Sequence, residues 1–231
     1  MNRRRGFTII ELLLAMSFLS TLMLAVAMTV VRMGEMYNRG LTVKEVNIAG
    51  RAISSDIKKS ISESQPIDLS SSATPKQYVP QAWGGRLCVG KYSYIWNYGK
   101  TLSDSSANSS NSNVYSSSSD KIRLVKVTDG GGSYCNDSSK NIDPSGAVEL
   151  LPAGDRNLAL HNFSITNQLS AKDDRSRQSV YYISYIVGTN DQAAISSNDA
   201  SCQTPDNLNA DLTYCSINEF NIVARSTNAL Q

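Results

Sequence analysis

A single histidine, His161, occurs in 231 residues, which excludes catalytic or metal sites assembled from several imidazoles. Charge is scarce too, at 18% of residues, and it is balanced, with 22 Lys and Arg against 20 Asp and Glu. Three of the cations, Arg3, Arg4 and Arg5, crowd the extreme amino terminus; without them 19 basic residues face 20 acidic ones. Such a balance supplies no general attraction for nucleic acid or anionic lipid. No proline occurs before Pro66, so nothing ahead of it forbids a long helix. The length excludes a large multidomain enzyme, because domains run to roughly 100–200 residues. A hydrophobic content of 41% excludes a chain that is disordered throughout.

What the chain does have is an apolar run. From Phe7 to Val31, FTIIELLLAMSFLSTLMLAVAMTVV, 25 residues hold one charge, Glu11. As a helix this stretch spans roughly 37 Å at about 1.5 Å per residue, enough for a bilayer core. The arginines ahead of it predict an amino terminus held in the cytoplasm and everything after Val31 exported. A cleaved secretory signal is the plain alternative, with Ala25-Val26-Ala27 as its site. Against it, the apolar run before that site has 18 residues, more than the usual ~7–15, and a carboxylate near its start. An uncleaved membrane anchor is the other alternative.

The residues Arg3-Arg4-Arg5-Gly6-Phe7-Thr8-Ile9-Ile10-Glu11 resemble the leader junction of type IV pilins and type II secretion pseudopilins: a short basic leader, Gly, then Phe-Thr, two hydrophobic residues and Glu opening an apolar helix. The resemblance covers residues 1–35. It implies cleavage between Gly6 and Phe7 by a prepilin peptidase on the cytoplasmic side, N-methylation of Phe7, and storage in the inner membrane before assembly into a filament. Physics marks Glu11 independently, because a carboxylate in a membrane helix costs about 2.5–3.5 kcal/mol even on the lenient insertion scale and asks for a cationic partner. The resemblance names that partner as the new α-amine of a neighbouring subunit.

The helix is expected to continue past the membrane, from about residue 8 to 63, with Met33, Tyr37, Leu41, Ile48, Ile53, Ile57 and Ile61 as its apolar face. Arg39, Lys44, Glu45, Arg51, Asp56, Lys58 and Lys59 then fall on a solvated outer face. Gly34, Gly40 and Gly50 weaken it by about 1 kcal/mol each, which allows a bend or a local break around 34–40 within one long helix. Many major pilins have a proline in the membrane half; its absence here argues for a different subunit type.

The remainder reads as strands and loops. Lys121–Val127 alternates, Leu158–Ile165 alternates more weakly, Val180–Val187 is rich in Tyr and β-branched residues, and a last strand is expected at Phe220–Arg225. Alternation marks an antiparallel sheet with one face on a core, and the amphipathic helix is the partner for that face. His161, in the second of these strands, reads as a structural residue. The division is therefore a leader, 1–6; a transmembrane and filament-core helix, 7–31; its amphipathic continuation, 32–65; and an exported β-rich head, 66–231. The fold class is α+β and pilin-like.

Within the head, 103–119 holds 10 serines among 17 residues plus four Asn or Asp, a composition that cannot order itself and predicts a mobile surface loop, with glycosylation of its serines as an alternative. Gly130-Gly131-Gly132 reads as a turn between strands, since neither a helix pattern nor a Lys-Ser/Thr pair follows. Tyr92, Tyr94, Trp96 and Tyr98 form an alternating aromatic stripe, read as a packed sheet face rather than a ligand platform. Asp199, Asp206 and Asp211 with Asn198, Asn207 and Asn209 offer oxygen ligands for Ca²⁺ without the spacing of an EF-hand, so no metal and no cofactor are expected, with calcium as the alternative.

Cys88, Cys135, Cys202 and Cys215 are an even set in a segment placed in an oxidising compartment, which predicts two disulfides. Three pairings exist. Cys202 with Cys215 and Cys88 with Cys135 is favoured, because the first closes an Asn- and Asp-rich loop that has no other means of order. This pair also resembles the disulfide-bound loop near the carboxy terminus of many pilins. Zinc is the alternative, but no C-x₂-C spacing occurs.

The resulting expectation is a structural protein, not an enzyme: a minor pilin built into a type IV pilus near its tip or initiating complex. The resemblance implies as partners other pilin subunits, major and minor, the prepilin peptidase, the inner-membrane assembly platform, and the inner membrane itself before assembly. No nucleic acid is expected, since residues 32–231 hold 19 basic and 19 acidic residues. A J-type pseudopilin of type II secretion is the alternative within the same family, and a tip adhesin or DNA-uptake module is the alternative of another class.

Overall fold

The computed structural model describes residues 8–99, 102, 123–137, 140–143, 146–151, 156–167, 178–191, 193–196, 201–204, 206 and 214–227. One helix, α1, runs without interruption from Ile9 to Ser62. Its first half is built from Leu, Met and Ala with no proline, and Thr8 caps its amino end; Glu63 ends it, with Pro66 shortly beyond. The helix is not broken around 34–40: Gly34 and Gly40 lie in continuous helix with open space where a side chain would stand.

The buried face of α1 is Thr42, Val46, Ala49, Gly50, Ile53, Ile57, Ser60 and Ile61, a stripe at helical spacing. It differs from the apolar face read from the sequence. Ile53, Ile57 and Ile61 are buried, Leu41 is half-buried, and Met33, Tyr37 and Ile48 are exposed. The head meets the helix only from Thr42 onward, and it does so over small residues that a search for large apolar side chains passes by.

Among the described residues, eight strands make two antiparallel sheets rather than the one sheet anticipated. β1 (Tyr78–Gln81), β2 (Gly84–Val89), β3 (Tyr92–Asn97), β4 (Leu124–Thr128) and β5 (Ala147–Glu149) form a five-stranded meander in chain order, with a one-turn helix, α2 (Ser133–Asn136), between β4 and β5. β6 (Leu158–Asn167), β7 (Val180–Thr189) and β8 (Ile217–Arg225) form the second sheet, again in chain order. The inner faces of both sheets and the lower half of α1 share one core, in which Ile53, Ile57 and Ile61 join Leu87, Tyr94, Trp96, Phe163, Tyr181 and Tyr185. Trp96 and Phe163 bridge the two sheets with ring centroids 4.4 Å apart, and Tyr185 stacks on Phe220 at 5.5 Å. The segment after β8 is fastened to the end of α1: the Thr227 N–H and hydroxyl donate to the Ser64 carbonyl.

Candidate assembly interface

Every described residue from Thr8 to Tyr37 is exposed, including Ile9 at 83%, Leu14 at 71% and Phe18 at 65%. A helix apolar on all sides needs an apolar surround that the head does not supply. It is also the one helix among the described residues that is long and apolar enough to cross a membrane. Its hydroxyls are already satisfied, since Ser17, Ser20, Thr21 and Thr29 donate to the carbonyls of Leu14, Met16, Phe18 and Ala25, which spares water-free surroundings an unpaired donor.

Glu11 sits in the first turn of this helix. The Thr8 hydroxyl accepts from the Glu11 N–H at 3.3 Å, and a Glu11 carboxylate oxygen accepts from the Thr8 N–H at 3.0 Å and the Thr8 hydroxyl at 2.9 Å. This is a capping box, with a negative side chain at the positive end of the helix dipole. Glu11 therefore has local partners yet stays fully accessible to a cation from outside. Gly6 and Phe7 lie outside the described residues.

The cysteines are joined as Cys88–Cys135 and Cys202–Cys215, with Cα atoms 6.2 and 5.9 Å apart. The first ties β2 to α2. The second closes a loop of separation 13 immediately before β8. Of the oxygen-rich set, Asp206 is described and exposed, whereas Asn198, Asp199, Asn207, Asn209 and Asp211 lie outside the described residues, as does the serine-rich segment 103–119. Among the described residues no three His, Cys, Asp or Glu gather as a metal could use them.

The aromatic stripe points inward. Tyr94 and Trp96 are fully buried, and Tyr98 is half-buried with its hydroxyl donating to the Phe163 carbonyl and accepting from the Phe163 N–H. The triple glycine does not join two strands as expected: it leads from β4 into α2, with Gly132 at φ +62° as its N-cap. His161 is the odd residue at a bulge in β6, where the register with β7 shifts between Leu160 and Asn162; its Nε2 lies 3.1 Å from the Thr189 carbonyl.

Four groups were not foreseen. Asp56, assigned to the solvated face, instead pairs with Lys126 of β4 at 2.9 Å and accepts from the Tyr94 hydroxyl at 2.7 Å, which fastens helix to sheet. Arg86 is buried and donates to the carbonyls of Tyr134, Asp137 and Lys140, ordering that loop; burial lowers its pKa. Burial pushes Asp129 up, but bonds from the Tyr134 and Ser133 N–H groups and the Ser93 and Ser133 hydroxyls outweigh it and hold the carboxyl low. Glu149 accepts from the N–H groups of Arg123, Leu124 and Leu151, and burial raises it to about 7. A sequence signal existed for two of these: Arg86 interrupts an otherwise apolar GGRLCV, and Asp129 precedes GGGS in the manner of a cap.

Compared with known proteins, residues 1–27 match the family model described as the prokaryotic N-terminal methylation motif, the prepilin signal that type IV pilins and pseudopilins share. No curated protein and no solved structure matches the chain. The motif implies processing by a prepilin peptidase and assembly with other pilins, and with the long apolar helix it fits an inner-membrane-anchored pilin.

Proposed function

We propose that this chain is a minor pilin: a structural subunit cleaved between Gly6 and Phe7, methylated on Phe7, held in the inner membrane with its head exported, and then drawn into a type IV pilus near the tip or initiating complex. The observation that carries the reading is Glu11, inside the matched methylation motif and in the first turn of a helix that is exposed on every side as far as Tyr37. In a membrane that helix is sheltered by lipid, and in a filament by neighbouring helices. On transfer into the filament a lone carboxylate would suffer a desolvation penalty of several kcal/mol, and the amine of Phe7 on an adjacent subunit is the cation positioned to offset it. Such a pair fixes axial register more than it adds net stability.

Export is supported by the two disulfides, which persist in oxidising compartments. The minor role is supported by the elaborated head, with two sheets and eight strands among the described residues, and by the absence of proline throughout α1. The experiment is deletion of the gene in its own host. Loss of surface pili with exoprotein secretion intact is expected, and an epitope-tagged copy should be found at low abundance in sheared pili. Loss of exoprotein secretion with normal pili would instead establish the pseudopilin reading.

A further inference from the structure

The exposed stretch of α1 does not end with its apolar run. Glu11 and Arg32 bracket 20 uncharged residues, Leu12 to Val31, which at about 1.5 Å each cover roughly 30 Å, the thickness of a hydrocarbon core. Beyond Arg32 the helix continues unbroken, and its buried face begins only at Thr42. In between stand Met33 at 62%, Met36 at 67% and Tyr37 at 69% exposure, large apolar side chains that the head leaves uncovered.

This collar, residues 32–39, has two faces. Arg32, Glu35 and Arg39 fall on one side of the helix at spacings of three and four, and Met33, Met36 and Tyr37 on the side next to it. All six are exposed, and two cations stand against one acid. Tyrosine concentrates at membrane–water interfaces, and arginine carries its charge to the headgroups on an apolar stem.

The lengths agree with such a place. Half the difference between a whole bilayer, ~40–45 Å, and its core, ~30 Å, leaves about 5–8 Å for the headgroup layer on each side, which takes the helix from Arg32 to Met36. Side chains on a helix lean toward its amino end, so Tyr37 and Arg39 reach back toward that layer rather than up to the head. The head stays clear of it, since Asn38 and Leu41 are only half-buried and full burial starts at Thr42.

We propose that the collar docks in the outer headgroup layer of the inner membrane, with Arg32 and Arg39 on phospholipid phosphates and Met33, Met36 and Tyr37 against the upper acyl chains. The inference rests on the membrane-held subunit proposed above. Arg32 is then a positioning residue: set at one headgroup layer, it holds Glu11 at the other, outside the hydrocarbon. The carboxylate meets a desolvating surround only when the subunit leaves the membrane, and leaving it breaks the phosphate contacts.

The test uses the purified full-length protein in vesicles of phosphatidylethanolamine and phosphatidylglycerol, where no other subunit can cover the helix. All four native cysteines are paired, so the single thiol of Val26→Cys, Met33→Cys, Met36→Cys or Ile48→Cys reports its own exposure to a maleimide that cannot cross the bilayer. Expected is rapid labelling at Ile48, none at Val26, and labelling about tenfold slower at Met33 and Met36 than at Ile48. In Arg32→Glu/Arg39→Glu the rate at Met36 should rise to near that at Ile48, whereas Arg32→Lys/Arg39→Lys should keep it slow, since an ammonium also binds phosphate. Formation of both disulfides reports that the variants fold; should the reversed one not fold, the profile with both arginines in place decides alone. Met33 and Met36 labelled as fast as Ile48 overturn the proposal and leave the membrane-held helix standing, as do protection that survives charge reversal and protection lost in the lysine pair. Rapid labelling at Val26 overturns the membrane-held reading itself and the collar with it.

Discussion

The ring of Phe220 in β8 lies directly against the backbone of Gly50 in α1: a Cβ at that position would stand 2.6 Å from ring Cε1 and nearer still to Cζ and Cε2. The Gly50 carbonyl, beside this contact, accepts from the Tyr185 hydroxyl at 2.6 Å. Glycine here is part of the packing, because the tip of the Phe220 ring fills the space that a Cβ would take. Gly50→Ala should therefore destabilise the head by about 1–3 kcal/mol through overpacking, despite the ~1 kcal/mol that alanine adds to helix propensity. Gly40→Ala, with nothing within 4 Å, should be neutral or stabilising. Thermal unfolding checks both, at roughly 2–4 °C per kcal/mol for a protein of this size; equal shifts would contradict the packing account.

Removing the disulfides should separate by loop length. On the chain-entropy model, Cys202→Ser/Cys215→Ser removes a constraint on a loop of separation 13 and costs about 3 kcal/mol, and Cys88→Ser/Cys135→Ser, with separation 47, about 4. Denaturant melts give the two values. Non-reducing peptide mapping checks the pairing, and a Cys88 to Cys202 linkage would refute it.

Stability should depend on pH through Glu149. Its carboxyl is raised in the folded protein from 4.5 to about 7, chiefly by burial, so the native state holds a proton that the unfolded chain has released. The contribution is complete below pH 4.5 and is lost as pH rises through about 7. Glu149→Gln, which keeps the acceptor for the backbone N–H groups and removes the titration, should flatten the slope across this range. A slope unchanged by the substitution would show that another group titrates there.

The sequence exposed some of this readily and hid the rest for physical reasons. The helix was legible to within a residue, because apolar composition, the amphipathic continuation and the absence of proline all agree. β4 and β6 were legible from alternation, β3 from its alternating aromatic stripe, β7 from its Tyr and β-branched content, and β8 was expected at Phe220–Arg225. β2 was not, because all six of its residues are buried and no alternation exists to read; β1 has Pro80 within four residues, and β5 has only three. The seam between helix and head was misread because Thr42, Ala49, Gly50 and Ser60 form much of it. Asp56 on α1 and Lys126 on β4 are 70 residues apart in sequence, a pairing that no local pattern encodes.

Glu11 is expected to matter for entry into the filament and not for folding or export. Glu11→Gln and Glu11→Leu should both be cleaved, oxidised and retained in the membrane at normal levels, yet be depleted from sheared filaments. Glu11→Leu recovered in filaments at the level of the unaltered protein would contradict the pairing with the Phe7 amine; a tip subunit with no neighbour above it is the arrangement that would then apply.

The most direct measurement is the mass and amino-terminal sequence of the protein isolated from its own membrane. The account predicts a chain that begins at Phe7 and bears one added methyl group on that residue's nitrogen, with Gly6 substitutions accumulating the unprocessed form. A chain beginning at Met28 would establish a cleaved secretory signal, and one beginning at Met1 an uncleaved anchor. Either would contradict the prepilin reading on which the roles of Phe7 and Glu11 rest.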